Sequence, residues 1–289
     1  MFLLIWNKYS PKPENLRYRL GSEGHSFTRF KEVKQTKHKD ILFVGSSHAY
    51  MHFDSNFYEK NGLTSFNLGT NSQTVHQTEL LLKRYLDQIN PKILIVEVCP
   101  YIFNLDGVEA QCDLVSNEII GWDTLKLTLK LKSLTAFNTF WLAFLREKLF
   151  SEKLNFSEPL KNGKFTYHQG GCEERELDFY KKISFEDQKW NEDHKKLKIL
   201  WRIKQMCSKK NIALVLVQTP VTTDFYNSYK NNDFFDREIG SIAKYYNFNE
   251  NSTFIDTLHF YDYHHLNQNG VEKFNKEFLN FLRQEKIIK

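Results

Sequence analysis

Four cysteines in 289 residues, at 99, 112, 172 and 207, are too few and too scattered for a disulfide framework. None stands in C-x-x-C spacing, so no zinc or redox motif can be built from them. Cys99 follows a strand-like run and Cys207 sits in a helix-like one; both are expected to be buried free thiols, and they fix no compartment. A long hydrophobic run is missing as well. The opening MFLLIW turns polar at Asn7, whereas a bilayer span takes about 20 apolar residues and a signal-peptide core about 7–15. The stretch reads as the end of a longer anchor or as an element packed on the domain. Charge of one sign is also lacking. The net charge is +5, with Lys and Glu interleaved, and the one short basic segment, KEVKQTKHKD at 31–40, reads as a solvated linker. A nucleic-acid binder would carry a basic stripe; the balance here leaves room only for mild attraction to an anionic surface. Internal repeats and low-complexity tracts are absent too.

Aromatics are what the chain has in excess, with 25 Phe and 14 Tyr. The plainest reading is a core built from Phe, although a carbohydrate- or membrane-facing surface would draw on the same residues. Hydrophobic residues at 41% and charged residues at 26% fit a globular domain of this length.

Residues 1–38 form an N-terminal arm, polar from Asn7 onward, with Pro11, Pro13, Gly21 and Gly24, and expected to be irregular. From residue 39 the rhythm changes. ILFVG (41–45), SFNLG (65–69), KILIVEV (92–98), IALVLVQ (212–218) and TFID (253–256) are short apolar runs that fit strands buried on both faces. Between them, 72–90 carries Val75, Leu82, Leu86 and Ile89 on one helical stripe and stops at Asn90-Pro91. Residues 195–211 and the stretch from Val271 to Phe281 repeat the helical period. Strand–helix alternation predicts an α/β fold, a three-layer α/β/α sandwich on a parallel sheet of about five strands. The alternation breaks over 101–190, which is predicted to be an insertion. Its middle, LTAFNTFWLAFLREKLF (134–150), reads as a helix packed on the sheet or lidding the site, and as core in preference to a docking face. KNGKFTYHQGG reads as a hairpin or loop.

Ligands of an open parallel sheet gather at the carboxyl ends of its strands, and three of these ends carry polar residues. GSSH at 45–48 offers a tight turn with a serine raised from the sheet edge. FNLGTNSQ places Gly69 at the next strand end. FYDYHHLNQNG at 260–270 sets Asp262 and His265 three apart, close enough for the carboxylate to fix the imidazole tautomer and leave a free nitrogen as base for a serine.

These three segments together resemble the SGNH hydrolases, or GDSL-type esterases, over roughly 40–100 and 210–285. Ser47 takes the place of the serine in their G-D-S block, and Asp262 and His265 match their D-x-x-H block. The likeness is nearest to the envelope branch, which acts on acyl groups of cell-surface polymers. The resemblance implies a serine nucleophile at Ser47, a base at His265 and a supporting carboxylate at Asp262, with no metal and no cofactor. It also implies an acylated carbohydrate or small ester as substrate and a cell-envelope location, with room for peripheral membrane association. The family's third-block Asn is missing, since the third strand here ends VEVCPYIF. The oxyanion site would therefore rest on the N–H groups of Ser47 and Gly69, with Asn71 as substitute donor. An O-acyltransferase would use the same residues, and a non-catalytic binding or assembly protein on the same scaffold is the alternative from another class.

Other residues take plainer readings. Ser46 is the lesser candidate nucleophile, and Ser47 has a rival role as a helix cap. His48 and His52, four apart, lack the carboxylate pattern of a metal site. His264 is the neighbour of the expected base. Glu97 is either ion-paired or lines the pocket, while Asp256 and Gln218 read as turn residues.

Overall fold

The computed structural model describes residues 15–21, 24–250 and 252–288; the MFLLIW stretch lies outside them. The strands among these residues are β1 (Ile41–Val44), β2 (Ser65–Asn67), β3 (Ile93–Glu97), β4 (Lys161–Asn162), β5 (Phe165–His168), β6 (Cys172–Arg175), β7 (Ala213–Gln218) and β8 (Lys244–Asn247). Five of them form one sheet in the order β2-β1-β3-β7-β8, every pair parallel.

Residue parity assigns the side chains to two cores, because successive side chains on a strand point to opposite faces. Leu42, Val44, Leu94, Val96 and Leu216 enter one core; Ile41, Phe43, Ile93, Ile95, Val215 and Val217 enter the other. The first is closed by helices α1 (Ser26–Val33), α4 (Val75–Ile89), α10 (His194–Lys209) and α12 (Asn232–Ile242). The second is closed by α14 (Gln268–Gln284), whose Phe274, Phe278 and Phe281 pack with Phe43, Phe53 and Phe248. The remaining helices are α2 (Ser47–His52), α3 (Ser55–Lys60), α5 (Pro100–Asn104), α6 (Val108–Asn117), α7 (Trp122–Lys130), α8 (Leu134–Phe150), α9 (Glu152–Asn155), α11 (Thr223–Ser228) and α13 (Asp256–His259). Among the described residues no helix is long and apolar enough to cross a membrane.

Local signals set the helix ends. Thr74 and Gln77 form a capping box at the start of α4, and Asn90 ends it in the left-handed region just before Pro91. All four residues of the predicted stripe on α4 are buried.

The structure differs from the sequence reading in two places. The fifth strand is Lys244–Asn247, not 253–256, where Asp256 instead opens the short helix α13. An edge strand has one neighbour and needs no continuous apolar run, so Lys-Tyr-Tyr-Asn does not announce itself. The arm is not irregular throughout either. Its α1 buries Phe30 and Val33 in the main core. Arg29, fully buried, donates to the carbonyls of Gly171 at 2.7 Å and Gly24 at 2.6 Å and lies over the Tyr50 ring.

The stretch 101–190 holds five helices and the antiparallel sheet β4-β5-β6. The β5–β6 turn packs tightly on the edge of the main sheet: Gly170 O accepts from Asn67 N at 2.8 Å, and a Cβ on Gly171 would fall 2.1 Å from Asn67 O.

Candidate active site

β1 ends at Val44 and is followed by Gly45, whose φ of +148° and lack of a Cβ let the chain turn beside Glu97; an added Cβ would meet that side chain at 2.6 Å. Ser46 then caps α2, its Oγ accepting from His48 N at 3.2 Å. Ser47 follows as the first helical residue, 8% exposed.

The distant loop before α14 arrives at the same point. Ser47 Oγ lies 2.8 Å from His265 Nε2, and His265 Nδ1 lies 2.8 Å from Asp262 Oδ2. The other Asp262 oxygen accepts the backbone N–H groups of His264 and His265 at 2.9 and 2.8 Å. A carboxylate on Nδ1 fixes the proton there and leaves Nε2 as acceptor for the serine hydroxyl. Burial alone would raise the Asp262 pKa, but the His265 contact and the two amides outweigh it, and the carboxyl is held well below its usual range. Burial pushes His265 down from its ordinary value, against the upward pull of Asp262, so the ring is a neutral base near neutral pH.

A second carboxylate–histidine chain, not foreseen from the sequence, runs beneath the first. Glu97, 3% exposed at the end of β3, accepts from Ser46 N at 2.9 Å and Ser46 Oγ at 2.8 Å. Its other oxygen faces His48 Nδ1 at 3.5 Å, and His48 Nε2 lies 2.8 Å from His264 Nδ1. Burial opposes ionisation of Glu97, yet His48 and Ser46 together keep its pKa lowered. Of the two readings open for Glu97, the structure gives the paired one. The 3.5 Å contact is not a hydrogen bond and leaves Glu97 Oε1 and His48 Nδ1 buried without one, while a single proton is shared between His48 Nε2 and His264 Nδ1. His264 is driven well below its ordinary pKa, first by burial and then by His265 and His48.

His52 is fully engaged. Its Nε2 accepts from Leu266 N at 3.1 Å and its Nδ1 bonds Thr219 Oγ1 at 3.0 Å, which ties α2 to the His265 loop and to the end of β7. The nitrogens of His48, His264 and His265 come within 4.8 Å of one another. The bonds just described already engage one nitrogen of His48, one of His264 and both of His265, one of these to Ser47.

The expected oxyanion donors are arranged differently from the sequence reading. Gly69 N donates to Asn67 Oδ1 at 3.1 Å, and Asn71 Nδ2 reaches the exposed Glu109 at 3.4 Å. Gly69 is bare for packing, since a Cβ would sit 2.9 Å from Ala49 Cβ and 3.0 Å from Ser46 O. Asn67, fully buried, binds α2 through Ala49 O at 2.7 Å. The Ser47 N–H stands in the first turn of α2, where an intrahelical acceptor does not exist.

Aromatic rings frame the site. Tyr261 stacks on His265 with the Arg175 guanidinium 4.0 Å from its centroid, and Tyr101, Tyr263 and Phe225 surround His264. A cavity of about 340 Å³ lies on the far side of Met51 and Leu266, toward Arg175 and Lys276; Ser47, Asp262 and His265 do not line it. What the sequence did not signal is the role of His48. Its partners, Glu97 and His264, stand 49 and 216 positions away, beyond any local pattern.

No family model matches the sequence, and no curated relative does. Among solved structures, the chain is similar to a GDSL-like lipase from Bacteroides thetaiotaomicron, with 9% identity and a TM-score of 0.44 over 92% of this chain and 99% of that one. It is also similar to a protein from Bacteroides fragilis provisionally assigned as an acylhydrolase, with 7% identity and a TM-score of 0.40 over 91% and 98% of the two chains.

Proposed function

We propose that the protein is a serine-dependent acyl-ester hydrolase. The observation that carries this reading is the unbroken line of contacts from Asp262 through His265 to Ser47, each at 2.8 Å. His265 Nε2 takes the Ser47 proton as Oγ bonds to the ester carbon. The tetrahedral oxyanion is met by the Ser47 N–H, and Asp262 steadies the imidazolium. The proton on Nε2 passes to the leaving alcohol, and water, deprotonated by the same nitrogen, releases the acid. No step calls for a metal or an organic cofactor.

The finer reading is an acetyl or other small acyl ester on a carbohydrate of the cell envelope. The half-buried rings of Tyr101, Tyr263 and Phe185 beside the site favour it, since such faces stack on sugar rings. Transfer to a second hydroxyl in place of water would use the same acyl-enzyme.

The test is labelling with a fluorophosphonate probe and mapping of the modified residue, alongside turnover of p-nitrophenyl acetate. Label on Ser47, with both signals lost in Ser47→Ala, is the expected result. Turnover that survives Ser47→Ala would remove the mechanism, and silence in the wild type would favour a binding protein.

A further inference from the structure

The insertion helix α8 is apolar on two sides. Its inner side, with Phe140 and Ala143, packs with Val115 of α6. Its outer side presents Leu134, Phe137 and Leu149 to solvent, and Phe150 at its end, Trp122 of α7 (79% exposed) and Leu154 of α9 (80% exposed) are exposed as well. A helix apolar all round belongs in a core or against lipid, and a contiguous apolar patch marks an interaction surface. Core packing, the reading favoured from the sequence, accounts for only the inner half.

The exposed charges around the patch that stand without an opposite partner are lysines, and Glu147 of α8 accepts from Lys153 N at 3.4 Å. Lys126, Lys132 and Lys148 are exposed and have no carboxylate partner among the described residues. The nearby acids are engaged internally, Asp123 with Arg84 and Glu152 with Arg146 and Tyr18. The chain also enters the described structure on this helix: Asn138 Nδ2 donates to Asn15 O at 3.1 Å, and Arg17 N to Thr139 Oγ1 at 3.0 Å.

Aromatic and aliphatic side chains rimmed by unpaired lysines suit the headgroup boundary of an anionic bilayer. A two-fold pairing of copies would bring two patches of the same positive sign together. Six residues of the N-terminal stretch, at most about 20 Å long, are too few to cover three helices. We propose that the outer face of α7–α9 docks on an anionic lipid surface.

The test is flotation of the full chain with phosphatidylcholine vesicles containing or lacking phosphatidylglycerol. Binding is expected to require the anionic lipid and to weaken with salt. Trp122→Glu/Phe150→Glu/Leu154→Glu should lower the partition coefficient by tenfold or more. Each Lys→Ala at 126, 132 and 148 should lower it about fivefold. All these side chains are exposed, so an unchanged melting curve serves as the folding control. Three outcomes overturn the proposal: failure of the wild type to float with anionic vesicles, equal flotation of the triple-Glu variant, or a dimer in sedimentation that this variant dissolves while nothing floats.

Discussion

Two carboxylate–histidine chains meet in this site, and they are built in opposite ways. Asp262 and His265 lie three residues apart on one loop, and the loop's own amides hold the carboxylate. Glu97, His48 and His264 come from β3, α2 and the final loop, and only the packed fold brings them together. The first chain ends on the Ser47 hydroxyl; the second ends on His264, the neighbour of His265. A locally encoded pair needs little from the rest of the protein and can be spent on chemistry. A pair assembled from three elements serves to lock those elements in register. The upper chain should therefore fail as catalysis and the lower one as stability.

The largest effect separates them most sharply. Ser47→Ala and His265→Gln are expected to lower kcat/KM for p-nitrophenyl acetate by about 10⁴-fold or more. Asp262→Asn should approach the same loss of activity and also lower the melting temperature, since the fold stabilises the ionised carboxylate, whereas Ser47→Ala should melt near wild type. Glu97→Ala should reverse the pattern. It strands the Ser46 N–H and hydroxyl in a buried site and frees His48, a loss of about 3 kcal/mol of stability seen as a lower midpoint in urea. A Glu97→Ala protein as stable as wild type would dissolve the distinction.

The pH dependence comes next in size. His52, His264 and His265 all have pKa values below their ordinary 6.5, each chiefly through burial. Between the folded values and 6.5 the unfolded chain binds protons that the folded one does not, so stability rises with pH there and falls as the solution is acidified through 6.5. Each fully titrating ring contributes about 1.4 kcal/mol per pH unit, and thermal melts at pH 5, 6 and 7 read the slope. Asp262 and Glu97, with lowered values, add their own loss only in the acid range beneath about 4. A flat profile between pH 5 and 7 would mean that these rings are not held neutral.

What the sequence disclosed divides along the same line. The parallel sheet and Phe-rich core were legible because buried strands need continuous apolar runs, as at 41–44 and 93–97. The Asp262–His265 pair was legible because three residues of spacing suffice to make it. The edge strand at 244–247 and helix α1 were not, since each owes its structure to neighbours far along the chain. Gly69 was singled out as a place where a substrate oxygen approaches the backbone N–H. Its missing Cβ makes room for the Ser46 carbonyl, while its N–H goes to Asn67; both partners become visible only once β2 lies beside the turn.

The smallest effect tests the joint between the two chains. Ser46 and Ser47 are adjacent, yet Ser46 faces down to Glu97 and Ser47 across to His265. Ser46→Ala removes one bond to the carboxylate and the side-chain cap on α2, while the Ser46 N–H still reaches Glu97 at 2.9 Å. The cost should be about 1 kcal/mol, with fluorophosphonate labelling of Ser47 within a few-fold of wild type. If Ser46→Ala abolished labelling instead, the hydroxyl over Glu97 would be the nucleophile, and the chain now read as a clamp would be the one that performs the chemistry.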